Sequence, residues 1–394
     1  MIGLSFASAS TILPAFAVHL GAPNVVIGAI PAIMTVGWLL PSLFSAGHTE
    51  TLPRKLPFVL RYTVGERAPF LVLALAAFLV ADRAPALALA VLLLMLFVIT
   101  GVGGVLMPAW MDIVGRAIPV TLRGRFFAMG SLVAGLGGFA GSFATTRILA
   151  TVPAPASFGV CFLCAAACMA LSWVALAFVR EPPGAPAAAA VTLSAYLARV
   201  PALLRRDRNL RRFLVARAFA VTAMMGSAFY TVYALRAWAP PAGQVGVFTA
   251  LLLGGQIAGT VALGWLADRV GHRLVIIAGL AATVAANLLA LAVPSLAAFR
   301  AVFVLAGVQV AALNISNLNV LLEFAPSPEE RPTYVGLGTT LMAPVAFSAP
   351  LAAGLLADTL GFAAVFVTAA ATGATGLALL VARVSDPRHA RAER

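Results

Sequence analysis

Apolar positions along this chain fall in long, nearly continuous runs, with neither strict alternation nor a helical stripe. A helix needs about 20 mostly apolar residues to cross a bilayer. Twelve stretches meet that length: about 2–20, 24–46, 57–81, 86–111, 126–150, 155–179, 212–235, 243–266, 273–293, 298–322, 332–357 and 361–382. Turns such as "GAPN", "VPAP" and "APSPEE" separate several of them. A β-barrel would show short alternating segments, so the pattern predicts an all-α integral membrane fold with twelve transmembrane helices.

Composition agrees. The chain has 394 residues, 62% hydrophobic and only 10% charged, against roughly 25% charged in a soluble domain. The net charge of +13 would point to nucleic acid in a soluble protein. Here the charge has a simpler origin, because cationic loops stay on the cytoplasmic side of a membrane. With the N-terminus inside, 19 of the 26 Lys and Arg residues fall in cytoplasmic segments and four on the outer side. A multi-pass protein of the inner (plasma) membrane follows, with both termini cytoplasmic and lipid, not nucleic acid, around it. No basic region precedes the first run, which begins at Met1 and contains Pro14. No cleavable signal peptide is expected, and a start slightly upstream stays open. Cys161, Cys164 and Cys168 lie on one helix face inside an apolar run and read as small packing residues.

The longest connection, "REPPGAPAAAAVTLSAYLARVPALLRRDRNLRR", begins as a Pro/Ala-rich linker. It then alternates Leu197, Val200, Leu203 and Leu204 with Arg199, Arg205, Arg206 and Arg208. This is the composition of a basic amphipathic helix lying on an anionic leaflet. The expected organisation is a six-helix bundle over 1–179, this linker over 180–211, a second bundle over 212–383 and a tail over 384–394. The halves repeat weakly: Arg125 and Gly130 fall opposite Arg331 and Gly336 at one offset, and "AGHTETLPRK" falls opposite "GWLADRVGHR".

That last stretch concentrates charge between two uncharged segments. Gly264 would let helices approach closely. Asp268 would sit at a helix end facing the positive N-terminus of another helix, the eleventh, near Arg331. Gly271 would allow the tight turn, and Arg269 and Arg273 would fix topology and pair with acids. The stretch resembles the signature loop of the major facilitator superfamily, G-x-L-a-D-r-x-G-r-[KR]. In that family it joins helices two and three, with a copy between eight and nine, and here the second copy is the better one. Twelve helices in two pseudo-symmetric halves and a long central loop extend the resemblance to the whole chain. It implies a secondary transporter in which the loop latches the halves on the cytoplasmic side. The first copy departs from the pattern, with Glu50 for Asp, Pro53 in the turn and Arg54–Lys55 as its basic pair. Its expected partners are Asp112 and Arg116. The corresponding helix end in the second half carries Glu323, so the two latches should be unequal. A plain topology signal with no gating role is the alternative.

The resemblance also implies that helices one, four, seven and ten line a central cavity. Their polar residues suit that: Ser5, Ser8, Ser10 and Thr11 in the first, Tyr230 and Tyr233 in the seventh, Gln309, Asn314 and Asn317 in the tenth, with Gln256 in the eighth. Ser10, Tyr230, Tyr233, Gln256, Gln309, Asn314 and Asn317 are the candidate substrate contacts. Asn314 and Asn317 share a face at i, i+3, and a buried amide needs a partner, either a substrate or a neighbouring helix. The two tyrosines form a pocket wall or simply pack. Glu66 in "RYTVGER" is the acid best placed to relay a proton, or it pairs with Arg67 to bind the first bundle together. Arg217 either meets an anionic substrate or snorkels to the cytoplasmic surface, and snorkelling is favoured. His19 is a weak pH-sensitive candidate. Gly135, Gly137, Gly138 and Gly141 in the fifth helix would allow close packing between the halves, as in the family's drug exporters.

Neither metal-ligand spacing, nor a phosphate-cradling loop, nor a catalytic constellation is present, so no enzyme and no cofactor are expected. The expectation is a monomeric exporter of drug-like or metabolite molecules, with a neutral solute and protons as a candidate coupling ion. Uptake or facilitated diffusion of a sugar-like solute is the alternative. A transporter-like sensor without flux is the alternative of another class.

Overall fold

The computed structural model describes residues 2–50, 52–181, 201, 203–327 and 330–386, with backbone alone at 43–44, 46–50, 120–121, 123–125, 127–128 and 332. In chain order its helices are α1 (Ile12–His19, after a 3-10 turn at Ile2–Ser5), α2 (Asn24–Glu50), α3 (Leu56–Leu79), α4 (Pro85–Ala117), α5 (Val120–Thr151) and α6 (Ala156–Ala177). They continue with α7 (Arg208–Trp238), α8 (Gln244–Val270), α9 (His272–Ala292) and α10 (Leu296–Phe324). The last two are α11, in two segments (Arg331–Thr340 and Ala343–Thr359), and α12 (Phe362–Arg383). No strand occurs among the described residues.

Among the described residues eleven helices are long and apolar enough to cross a membrane. The first run departs from its expected span: residues 6–11 are turns, and only eight residues form α1. Pro14 has no N–H to offer a residue one turn earlier, and it falls in the first turn of α1, where that N–H would have no partner within the helix. The Ser8 carbonyl takes the N–H groups of both Ile12 and Leu13, at 3.0 Å each. Regular helix also fails inside other spans. α7 tightens to a 3-10 turn at Met224–Ala228, α10 breaks after Ser316, and α11 breaks between Thr340 and Ala343.

The chain divides into two compact units. The first comprises 1–23, 29–191 and 241–249. In it α3 packs on α4 and α6, and Phe16 of α1 lies 5.1 Å from Phe158 and 5.4 Å from Phe162 of α6, ring centre to ring centre. Two of the four α5 glycines expected to pack between the halves have partners within the first unit. A Cβ added at Gly137 would lie 2.5 Å from Ile2, and one at Gly141 would lie 2.3 Å from Ser5 Oγ, so these two seat the N-terminal turn within the first unit.

The second unit comprises 24–28, 192–240 and 250–394. There α9 packs on α10, and α12 packs on α7 and α9. The closest approach is between α8 and α10. A Cβ added at Gly255 would lie 2.2 Å from the Val304 carbonyl oxygen, and one at Gly307 would lie 2.1 Å from that of Leu252. Gly264, expected to allow such an approach, has nothing within 4 Å of its added Cβ. The first turn of α2 belongs to this unit, and Asp358 caps it: its carboxylate accepts the backbone N–H of Asn24 at 3.0 Å and of Val25 at 2.9 Å. Of the expected amphipathic helix, residues 182–200 and 202 lie outside the described residues. Leu203 and Leu204 pack against the core built on Leu210, Phe213, Phe324 and Tyr334, so this end of the linker covers protein.

These contacts make the glycines unequal. Gly307→Ala should lower the unfolding temperature of the purified protein markedly, because backbone on α8 must move; overpacking costs about 1–3 kcal/mol or more. Gly264→Ala should leave that temperature unchanged or slightly raised, since alanine favours helix. Thermal unfolding of the two variants side by side tests this, and equal losses would refute it.

Candidate functional site

Inside the second unit, α7, α9 and α10 enclose a cavity of about 60 Å³. Its polar lining is Arg217 from α7, Thr283 from α9, and Gln309 and Asn317 from α10. The local structure explains the gathering. Asn317 stands where α10 breaks, and Met224, which begins the 3-10 turn of α7, also lines the cavity. Interrupted helices are where membrane proteins free polar groups for a ligand, since regular helix consumes its own N–H and C=O groups. Gln309 is 5% exposed, and Thr283 returns its hydroxyl to the Gly279 carbonyl at 2.9 Å.

Arg217 is the decisive side chain. Its Nη2 donates to Asn317 Oδ1, and its Nη1 is buried with no hydrogen-bond partner. Snorkelling, favoured on sequence grounds, is not what it does: the guanidinium turns inward because an amide waits at the break in α10. Of the two asparagines expected to act together, Asn317 is on the cavity, whereas Asn314 is exposed and off its lining. A spacing of i, i+3 is nearly one turn, but the break at Asn317 separates their surroundings.

The tyrosines are elsewhere. Tyr230, 1% exposed, lies 5.8 Å from Phe366 and 6.4 Å from Phe303, and Tyr233 lies 5.4 Å from both Phe299 and Trp238. They are members of an aromatic cluster, and neither lines the cavity. Gln256 is half-buried on α8, with its backbone N where a Gly307 side chain would go. Ser10 is exposed in the turns before α1.

A second cavity, about 420 Å³, lies in the first unit among α2, α3, α4 and α6. Glu66 and Arg67 face it beside Trp38, Trp110 and Ser172. The pair is loose at 3.8 Å, and Glu66 also accepts from the Thr63 hydroxyl at 3.3 Å. Arg67 Nε donates to the Met169 carbonyl at 3.0 Å, which ties α3 to α6.

The two charged loops differ, and the first meets the partners expected of it, Asp112 and Arg116. In the first, Lys55 Nζ lies 2.6 Å and Arg116 Nε 2.7 Å from one oxygen of Asp112. Arg54 is exposed, and the side chain of Glu50 lies outside the described residues. A residue that sequence reasoning missed completes this cluster: the Glu181 carboxylate accepts the N–H of Lys55 and of Leu56, at 2.8 Å and 2.7 Å, and so caps α3. Only its acidic character just after the sixth run hinted at this.

In the second loop Gly271 has φ +102°, the turn that excludes a side chain. Asp268 is exposed and makes no ion pair or hydrogen bond among the described residues. Among the described residues Arg269 and Arg273 do not pair with acids either. The Arg269 guanidinium stacks 4.2 Å over Trp265. Arg273 donates to the carbonyls of Leu380 at 2.8 Å and Val381 at 3.2 Å, two groups that the end of α12 leaves open. Among the described residues no cluster of His, Cys, Asp and Glu could hold a metal ion.

Residues 218–394 match the model of the Major Facilitator Superfamily. No curated protein matches the chain in sequence. A crystal structure of the nucleoside transporter NupG superposes with a TM-score of 0.71 at 13% identity, covering 97% of this chain and 98% of that chain. A bacterial homologue of the human lysosomal transporter Spinster, inward-facing and unoccupied, gives 0.66 at 14% over 99% and 95%. The inward-open xylose transporter XylE from E. coli gives 0.65 at 11% over 95% and 93%. At these identities the likeness is one of fold. The match to the superfamily's model lies in the second half, and the fold of these transporters is shared along nearly the whole chain.

Proposed function

We propose that the chain is a secondary transporter of the inner (plasma) membrane that moves a small organic solute by alternating access, and that Arg217, Gln309 and Asn317 contact the solute. The observation that carries this is the cavity at the interrupted helices α7 and α10, where a buried guanidinium group is left with an open donor. The asymmetry of Lys and Arg orients both termini to the cytoplasm. The expectation of a neutral, amphipathic or weakly polar solute rested on the paucity of charge in the expected cavity, and Arg217 on the cavity lining counts against it. The expectation of export leaned on glycines of α5 packing against the other half, and Gly137 and Gly141 are occupied by residues 2–5. Direction is therefore read from flux, with export of a metabolite and uptake of a solute as its two outcomes.

Counterflow in proteoliposomes tests transport itself. Labelled solute should accumulate transiently against unlabelled solute inside. A flat trace for every solute that binds would favour a transporter-like sensor. The second loop acts in cycling under this proposal. Asp268→Asn should slow turnover and leave solute affinity unchanged; full turnover would reduce the loop to a topology signal. Glu66 holds the first unit together through Thr63 and Arg67 in this reading. Glu66→Gln should keep pH-gradient-driven flux, and its complete loss would make Glu66 a proton relay.

A further inference from the structure

The cavity on α7, α9 and α10 holds one formal charge and nothing to balance it. Among the described residues Arg217 makes no ion pair, and its one bonded partner, Asn317, is neutral. A charge withdrawn from water is costly unless it is paired, and a neutral amide repays only part of that cost. Nη1 of the guanidinium is the unsatisfied atom. Around it, Gln309 and Thr283 bring the only other polar side chains to a lining that is otherwise Ala220, Val221, Ile276 and Leu313 among similar groups. A volume of about 60 Å³ admits a carboxylate or a few small atoms, and the aliphatic walls suit a short hydrocarbon portion.

We propose that this cavity is a monocarboxylate subsite: the solute is an organic anion whose carboxylate takes the open Nη1 of Arg217 while its apolar body lies on the aliphatic walls. This rests on the site named above and narrows its substrate class. Arg217 supplies the counter-charge. A planar guanidinium with one donor held by Asn317 presents another to a carboxylate oxygen, a charge-assisted bond stronger than a neutral one. The amide of Gln309 supplies a further donor. A neutral solute of the same shape would leave Nη1 as it is now, buried and unmatched, which is how such a site discriminates against it.

The test is thermal unfolding of the purified full-length protein in chloride-free sodium sulfate. Acetate, propionate and benzoate are compared with acetamide, propionamide and benzamide. At least one carboxylate should raise the unfolding temperature with saturation, and its amide should not. Arg217→Gln should abolish the shift. Arg217→Lys, which keeps the charge but loses the fork, should need roughly tenfold more carboxylate. Asn317→Asp covers the case in which the glutamine variant fails to fold. It places a carboxylate on Arg217 from within, so it should raise the starting temperature and remove the response to added carboxylate. Equal shifts from acid and amide, or an unchanged shift in Asn317→Asp, would overturn the proposal. So would full stabilisation by chloride or by phosphatidylglycerol with no further effect of any carboxylate, since the anion would then be a resident ion or a lipid headgroup. Binding of a carboxylate without its counterflow would sink transport and leave the subsite standing. Counterflow of a neutral solute by a protein indifferent to carboxylates would do the reverse.

Discussion

In an apolar surrounding every backbone N–H and C=O must find its partner within the protein, and this constraint governs the rest of the structure. It makes the chain helical wherever it is apolar, and it makes each interruption of a helix a place with polar groups to satisfy. The interruptions are few and specific. α1 starts late, with Pro14 in its first turn, a 3-10 turn divides α7, and α10 stops at Ser316. Two of these three adjoin the cavity that contains Arg217.

The same constraint explains how the helices are held. Hydrocarbon offers no hydrophobic drive between apolar helices, so close backbone contact and polar caps must do the holding. Gly255 and Gly307 bring α8 and α10 into backbone contact. Charges serve as caps more than as salt bridges: Asp358 on the first turn of α2, Glu181 on α3, and Arg273 on the last carbonyls of α12. Each satisfies groups that a helix end leaves open. The cluster of Lys55, Asp112 and Arg116 is one exception, where two cations share one carboxylate oxygen.

A shared fold does not carry a shared substrate, because function lies in the site grafted on it. The solved relatives transport chemically different solutes by their own descriptions, and at 11–14% identity they resemble this chain only in backbone. In this chain the charge at the cavity is Arg217, a cation that α7 turns toward an amide.

Sequence by itself determined where most of the helices lie, because hydrophobic run length is a one-dimensional property. The turn at Gly271 was legible for the same reason, since a Gly between two charged residues at the end of a run needs no distant partner. Only the tertiary structure decided what depends on neighbours far along the chain. Gly264 and Gly307 look alike in sequence, but only Gly307 has a backbone against it. Tyr230 and Gln309 both suited a binding site, yet one is ringed by phenylalanines and the other lines the cavity. Asp358 gave no local sign of capping a helix 333 residues earlier. Arg217 could reach either the cytoplasmic surface or the interior, and a break in α10, 100 residues away, settled which.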